Sequence, residues 1–235
     1  MLVEIDLLVF RQWGWSLRRP IKKGRRYETN GLVEGQYEPG SHHRVLRNLL
    51  GITRKREMDH TELEEQLRAM AELVDRYDRK HQFTADDIRG IHRVWLGAVF
   101  AWAGEYRKVN LVKEGFPFAA ANQIPRLMAV FEKDILKKYT PCRSRSVEDI
   151  VRALAVVHTE LVLIHPFREG NGRVARMLAT LMSLQAGLPA LDFGGVRGWK
   201  RREYFAAVQA GMKDDYRPME RIFISVIRRT SRKRT

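Results

Sequence analysis

HPFREGNGRVAR, residues 165–176, places a histidine, a carboxylate, two glycines around an asparagine and two arginines three apart within twelve residues. Pro166 stops the helical pattern that runs up to it, because proline does not continue a helix. A tight loop then turns the chain, and Gly172 or Arg173 opens the next helix. The first backbone N–H groups of a helix lack intrahelical partners and lie at the positive end of its dipole. The stretch therefore predicts that the N–H groups of residues 170–173 bind an anion.

The side chains of residues 165–176, which we call the motif, suit a polyphosphate with a bound cation. Arg173 and Arg176 are one turn apart on one helix face, so both can clamp the same polyphosphate. Glu169 is acidic in a cationic setting, as expected of a ligand for a divalent cation. An ordinary histidine titrates near neutrality, so we expect His165 to take a proton from an incoming hydroxyl. We expect Phe167 to turn inward and anchor the loop in the core.

Each of these residues also has an ordinary structural interpretation. A histidine before proline is often a cap or a core residue, and two arginines on a helix usually form a solvated face. Glu169 could simply complement the helix dipole. Taken singly, these alternatives are the more common case, but they do not predict all of the residues in this order and spacing.

The motif resembles the signature of the Fic family, His-x-Phe-x-Asp/Glu-Gly-Asn-Gly-Arg-x-x-Arg. The likeness extends over roughly residues 44–230, and WAGEYR (102–107) with GFPF (115–118) resembles the segment leading into the family's target-binding flap. It implies a mainly α fold, a Fic-type helical bundle with one small β-hairpin flap. All fixed positions of the signature match: His165, Phe167, Glu169, Gly170, Asn171, Gly172, Arg173 and Arg176.

The resemblance implies that the chain is a protein adenylyltransferase, which transfers AMP from ATP to a Ser, Thr or Tyr hydroxyl of a target protein. His165 would be the base that activates this hydroxyl, and Glu169 would coordinate Mg²⁺ between the α- and β-phosphates. Arg173 and Arg176 would bind the β- and γ-phosphates. The rest of the nucleotide-binding loop would be Phe167 and an anion hole made of Gly170, Asn171 and Gly172.

The resemblance also implies a target-binding flap at about residues 109–119, which would pair with an extended target segment by strand addition. The flap residues expected to take part are Val109, Asn110, Leu111, Val112, Gly115 and Phe116.

Three other functions stay open at this point. Members of the Doc branch phosphorylate their target, but they alter the two glycines that this chain keeps as Gly170 and Gly172. Their presence favours AMP transfer over phosphorylation and leaves open another nucleotide or a phosphocholine-type donor. A Fic-like regulator that only binds a nucleotide is disfavoured by the intact His165, since a pure binder needs no base.

NGLVEG, residues 30–35, resembles an inhibitory pattern of many relatives, Ser/Thr-x-x-x-Glu-Gly/Asn, whose glutamate pairs with the second arginine of the signature. Glu34 and Gly35 match, and Asn30 replaces Ser or Thr, a mild departure because Asn also caps helices. The resemblance implies a short inhibitory helix that brings Glu34 to Arg176. The alternative is that Glu34 is an ordinary loop carboxylate, so that restraint comes from a separate small antitoxin or is lacking.

The composition predicts one medium-sized domain with an appendage, or at most two small domains, since the chain has 235 residues, 44% of them hydrophobic. The single cysteine, Cys142, excludes an intramolecular disulfide and a cysteine-built zinc site and favours a reducing setting. The first residues carry Glu4 and Asp6 where a signal peptide needs positive charge. We therefore expect a cytoplasmic protein without a membrane span, and leave open a toxin exported without a classical signal peptide.

The formal net charge of +15 predicts a surface that attracts nucleotides, nucleic acid or an acidic protein such as an antitoxin. The excess lies in RRPIKKGRR (18–26) and RRTSRKRT (228–235). Neither end contains the interleaved aromatic residues that mark single-strand binding. We interpret both as solubilising ends and expect no nucleic-acid partner.

Periodicity predicts a mostly irregular segment at 1–40, a helical catalytic domain at 41–230 and a basic tail at 231–235. Thr84 and Ser146 are the predicted N-caps of two helices. An apolar stripe on the first long helix comprises Leu63, Leu67, Met70, Leu73, Val74 and Tyr77. A short amphipathic piece is predicted at 45–52 and a hairpin within 102–124, and helices are predicted at about 59–80, 84–101, 122–139, 146–164, 174–186, 198–212 and 217–229.

Overall fold

The computed structural model describes residues 32–113, 115–144, 146–196 and 199–232. In these ranges helices dominate, and the one sheet is a two-stranded hairpin, so the predicted mainly α fold is confirmed. No helix in them is long and apolar enough to cross a membrane. The elements are α1 (Lys55–Arg76), α2 (Ala85–Leu96), β1 (Val112–Lys113), β2 (Phe116–Pro117), α3 (Ile124–Val130, continued by a π-helical stretch Phe131–Leu136 and a turn Lys137–Tyr139), α4 (Val147–Ile164), α5 (Asn171–Gln185), α6 (Trp199–Ala210) and α7 (Arg217–Arg232).

The central helix is α4, because its sequence leaves it nowhere else to lie. From Ile150 to Ile164 every residue except Arg152 is buried, so the helix needs neighbours on all sides. The helices α5, α6 and α7 pack around it, and α2 packs on α5. Ser146 caps α4 as predicted, since its hydroxyl accepts the Asp149 N–H at 3.3 Å.

The cap of α2 is also as predicted, whereas its end is not. The Asp87 N–H donates to the Thr84 hydroxyl at 3.1 Å, and the Thr84 N–H donates to the Asp87 carboxylate at 2.8 Å. The helix ends at Leu96 rather than near residue 101, because the chain turns there to bury Phe100 and Trp102 in the core.

Several other parts of the chain also differ from the prediction. Residues 45–52 form no helix, because the Asn48 side chain accepts the N–H groups of Leu50 and Ile52 and so holds a turn. Helix α5 begins at Asn171, three residues before the predicted start. Helix α7 continues to Arg232, so the first residues of the predicted basic tail are helical. Most of the predicted N-terminal segment, residues 1–31, lies outside the described residues.

The apolar stripe predicted on α1 is wrong in part. Leu63 and Leu67 have 53% and 66% of their surface exposed. The buried face instead comprises Met58, Glu62, Ala69 and Leu73. The face is rotated from the apolar stripe because Glu62, a charged residue, points into the molecule, where an arginine of the motif binds it.

This assignment of faces predicts a contrast between two leucines of α1. Leu73→Ala should lower the free energy of unfolding by about 2–5 kcal/mol, because it leaves a cavity in the core. Leu67→Ala should change it by less than about 0.5 kcal/mol, because the side chain is solvated. Urea denaturation of both variants measures the difference, and equal losses would contradict the observed burial.

Candidate active site

A cavity of about 640 Å³ lies between the motif, the hairpin and α6. Most of the predicted site residues meet there: His165, Glu169, Gly170, Asn171, Gly172, Arg173 and Arg176 border it, together with Leu111, Val112 and Phe116 of the hairpin. Phe167 does not border it, because it is fully buried behind the loop, as expected of a core anchor.

His165 is held as a neutral ring at the end of α4. The residue adopts a left-handed conformation with φ of 55°. Its Nδ1–H donates to the Val162 carbonyl at 3.1 Å, so the other ring nitrogen, Nε2, keeps its lone pair. The Phe118 ring stacks on it with centroids 3.5 Å apart. Burial, with the charges of Arg107 and Lys113, lowers the pKa of His165 to about 3.

The anion-binding N–H groups at the start of α5 are fewer than predicted. The Gly170 N–H donates to the Glu169 carboxylate and the Arg173 N–H to the Gly170 carbonyl, both at 2.9 Å. Those of Asn171 and Gly172, the first two residues of α5, have no partner within the helix. The Asn171 side chain closes the loop from inside, where it bonds both the N–H and the carbonyl of Phe167.

Positions 170 and 172 of the loop are glycines for different reasons. Gly170 adopts φ of 81°, and a Cβ there would lie 2.6 Å from the Trp95 ring. A Cβ on Gly172 would meet nothing within 4 Å. The fold therefore requires Gly170, whereas only a ligand close to the α5 N-terminus requires Gly172.

The two arginines of the motif lie in different surroundings. Arg173 donates to the Glu62 carboxylate at 2.6 Å and to Glu169 at 3.4 Å, and its guanidinium lies 4.5 Å from the centre of the Trp95 ring. Arg176 is half-buried beside Tyr204, and burial lowers the pKa of its guanidinium. Within the described ranges no carboxylate contacts Arg176, so it is the more available cation.

Glu169 is the candidate metal ligand, and its surroundings fit that role. Its side chain is 47% exposed, and Oε1 accepts both the Gly170 N–H and the Arg173 guanidinium. The second oxygen, Oε2, is left to bind a cation. Because the described residues contain no group of three or more potential metal ligands, a bound Mg²⁺ would take most of its ligands from phosphates and water.

Arg107 is a site residue that the sequence prediction missed. It is almost fully buried, and its guanidinium donates to the carbonyls of His165 at 2.7 Å and of Val109 and Ala119 at 2.6 Å each. Burial lowers its pKa to about 10, so it is still charged at neutral pH. One side chain thus ties the candidate base to both ends of the hairpin. Its position at the end of WAGEYR was the available signal.

His92 was missed as well. Its Nδ1 accepts the Gly104 N–H at 2.7 Å, so its Nε2 carries the proton that it donates to the Glu169 carbonyl at 3.2 Å. The ring stacks on Phe167 with centroids 4.0 Å apart. His92 therefore fixes the backbone of the candidate metal ligand from behind.

The hairpin residues divide into two groups. Val112 pairs with Pro117 across the hairpin, 40% of its surface is exposed, and it borders the cavity with Leu111 and Phe116. The remaining predicted residues anchor the hairpin: the Val109 carbonyl accepts from Arg107, the Asn110 side chain accepts the Ala121 N–H at 2.9 Å, and Gly115 makes the turn with φ of 81°.

Glu34 does not contact Arg176, the arginine that it was predicted to meet. In a single 3₁₀ turn, Val33–Gly35, its carboxylate accepts the Lys108 N–H at 2.6 Å and its carbonyl accepts Arg168 Nε at 2.9 Å. Among the described residues no bond joins it to Arg176. The geometry thus matches the alternative, a carboxylate that anchors the chain before the hairpin.

The two loop glycines supply a matched pair of variants. Gly170→Ala should lower the free energy of unfolding by at least about 1–3 kcal/mol, through strain at positive φ and the clash with Trp95. Gly172→Ala should leave stability unchanged and weaken nucleotide binding. Thermal unfolding and calorimetric titration with ADP measure the two effects, and equal stabilities of the variants would contradict the different roles.

His92 also predicts a pH effect on stability. Burial lowers its pKa to about 3, whereas an unfolded histidine titrates near 6.5, so the unfolded state binds the extra proton. Its contribution is complete above pH 6.5 and falls by about 1.4 kcal/mol per pH unit below it. Between pH 7 and pH 5 the wild type should lose about 2 kcal/mol more than His92→Gln. Equal losses in urea titrations would show that His92 is protonated in the folded protein.

Comparison with known proteins agrees with this architecture. Residues 82–183 match the model of the Fic/DOC family. The protein adenylyltransferase Fic of Nematostella vectensis is 25% identical over 221 residues, which are 91% of this chain and 49% of that protein. The protein adenylyltransferase VbhT of Bartonella schoenbuchensis is 29% identical over 69% of this chain and 33% of its own length. The chain thus spans half or less of these curated relatives.

Solved structures share the fold. The BepC protein of Bartonella tribocorum with bound AMPPNP superposes with a TM-score of 0.65 at 24% identity, over 86% of this chain and 98% of that one. The N-terminal Fic domain of a cell filamentation protein of Bartonella quintana with bound ADP has a TM-score of 0.62 at 26% identity, over 77% and 89%. Residues 82–183 thus match the Fic/DOC family by sequence, and the described residues share their fold with solved Fic domains.

Proposed function

We propose that this chain is a protein adenylyltransferase that transfers AMP from ATP to a hydroxyl group of a target protein. The observation that carries the proposal is a neutral His165 with an unoccupied Nε2 in one cavity with the α5 N-terminus. A base for a hydroxyl and an anion site for phosphates are the two parts that the reaction needs. Relatives named protein adenylyltransferases support the same conclusion.

The chemical step follows from this arrangement. Nε2 of His165 takes the proton of the target hydroxyl, whose oxygen attacks the α-phosphate while pyrophosphate leaves. The N–H groups of Asn171 and Gly172 and the guanidinium of Arg176 stabilise the developing charge on the phosphates. Mg²⁺ held by Glu169 would neutralise further charge on the α- and β-phosphates. No residue forms a covalent intermediate, so positioning and charge account for the rate.

His165 gains basicity when the nucleotide binds. Burial and two nearby cations, Arg107 and Lys113, hold its pKa at about 3. The negative charge of a bound triphosphate favours the protonated imidazole and therefore raises this pKa toward neutrality. The base is then strongest when ATP is in place.

The hairpin would present the target. Its strand β1 carries the exposed Val112 at the mouth of the cavity. An extended target segment could add to this strand through main-chain hydrogen bonds and place its Ser, Thr or Tyr near His165. Strand addition fixes the target backbone without contacting every side chain. The position and length of a side chain then decide whether its hydroxyl reaches His165.

We assign the inhibition of AMP transfer to a separate protein. Because Glu34 bonds to Lys108 and not to Arg176, the described chain supplies no carboxylate that blocks Arg176. An acidic antitoxin of a toxin-like, cytoplasmic protein would supply one, in keeping with the net charge of +15. Glu34→Gly should accordingly give no rise in AMP transfer.

Radiolabel transfer in cell lysate with Mg²⁺ tests the proposed function. ATP labelled at the α-phosphate should label protein, whereas ATP labelled at the γ-phosphate should not. His165→Ala should lower the label at least about 100-fold, since a positioned base contributes that much. His60→Ala, which changes an exposed histidine of α1, is the matched control and should keep full activity.

Two outcomes would contradict the proposal. Label from the γ-phosphate would mean a kinase. No label from either form, with a folded protein as judged by thermal unfolding, would mean another nucleotide donor or a nucleotide-binding regulator.

A further inference from the structure

Glu62 is a carboxylate that the proposed chemistry leaves unused, although it lies at the site. It belongs to α1, and its side chain is only 4% exposed. Its Oε2 accepts Arg173 Nη1 at 2.6 Å, across 111 residues of sequence, and its backbone carbonyl accepts Trp95 Nε1 at 2.8 Å. Both the backbone and the side chain of Glu62 are thus fixed.

A carboxylate buried to this degree needs a reason, because removing it from water costs more than an ion pair usually returns. Burial raises the pKa of Glu62, and Arg173 acts against that rise. An apolar residue at position 62 would pack α1 on α5 without this cost. The pair therefore points to a role in the site rather than to stability alone.

The surroundings of Arg173 indicate what that role is. Its guanidinium lies against the Trp95 ring, between Glu62 at 2.6 Å and Glu169 at 3.4 Å. The shorter contact is to Glu62, the residue farther from the chemistry. Without it, the nearest carboxylate to Arg173 would be the candidate metal ligand, which the guanidinium can reach by a small movement.

We propose that Glu62 is a positioning residue, which holds Arg173 on Trp95 and keeps it from closing on Glu169. A guanidinium has five N–H donors, so the donors that neither Glu62 nor Glu169 uses can meet the β-phosphate. This inference rests on the proposed function for the assignment of Arg173 to the β-phosphate. It adds α1 to the helices that form the nucleotide site.

A simple charge argument predicts the opposite effect, which makes the proposal testable. Removing the Glu62 charge would leave the site more positive and would strengthen nucleotide binding if Arg173 stayed in place. We predict weaker binding, because an Arg173 released by Glu62 pairs with Glu169 instead. The sign of the change therefore separates the two explanations.

The experiment compares the affinities of AMP, ADP and ATP by calorimetric titration with Mg²⁺. In Glu62→Gln, ADP and ATP should bind about 10-fold more weakly, as expected for one charged hydrogen bond. AMP, which lacks the β-phosphate, should bind within about twofold of the wild type. Glu65→Gln is the matched control: it breaks a Glu–Arg pair on the same helix, with Arg68, away from the motif.

Unchanged or tighter binding of ADP and ATP by Glu62→Gln would overturn the proposal, as would an equal loss for AMP. Glu62 acts through Arg173, so Glu62→Gln should have no further effect on ADP binding in an Arg173→Gln background. Additive losses would show a merely structural role. Should Glu62→Gln not fold, Arg173→Lys takes its place. The lysine cannot bind Glu62 and the β-phosphate together, so it should weaken the binding of ADP and ATP but not of AMP. An equal weakening of AMP binding would overturn the proposal.

These titrations require no AMP transfer. A wild-type protein that binds ADP but labels no target would overturn the proposed function and leave the Glu62 result to be judged by itself. A protein that transfers AMP and binds ADP equally well with and without the Glu62 charge would leave the function standing and remove Glu62 from the site.

Discussion

The site depends on one buried cation. The Arg107 guanidinium bonds the carbonyl of His165 and the carbonyls at both ends of the hairpin. A buried guanidinium without partners would be very costly, so these three carbonyls are held as firmly as the core that surrounds them. One side chain thereby links the candidate base to the hairpin. In the proposed reaction, a hydroxyl delivered by the hairpin would therefore arrive at a fixed place relative to His165.

Three buried polar side chains extend this constraint over the motif. His92 bonds the Glu169 carbonyl, Asn171 bonds both backbone groups of Phe167, and Glu62 bonds Arg173. Each has hydrogen-bond partners, and each acts on a different part of the candidate site. The site is therefore organised before substrate binds, which lowers the reorganisation that the reaction requires. The anion hole uses main-chain groups for the same reason, since helix N–H groups cannot rotate away.

The sequence predicted most of what local rules control. The caps Thr84 and Ser146, the break at Pro166 and the residues around the cavity follow from backbone chemistry and from an uninterrupted motif. Its errors have nonlocal causes. The face of α1 was misplaced because Glu62 is buried by a partner 111 residues away. Arg107 and His92 were missed because their roles consist of bonds to distant carbonyls, and residue type alone does not show where a side chain points.

The most direct test of this account is mass spectrometry of a target protein incubated with the chain, ATP and Mg²⁺. We expect a mass increase of one AMP on a Ser, Thr or Tyr side chain, which is absent when His165→Ala replaces the wild type. An added phosphate, or an AMP adduct that forms equally with His165→Ala, would contradict it.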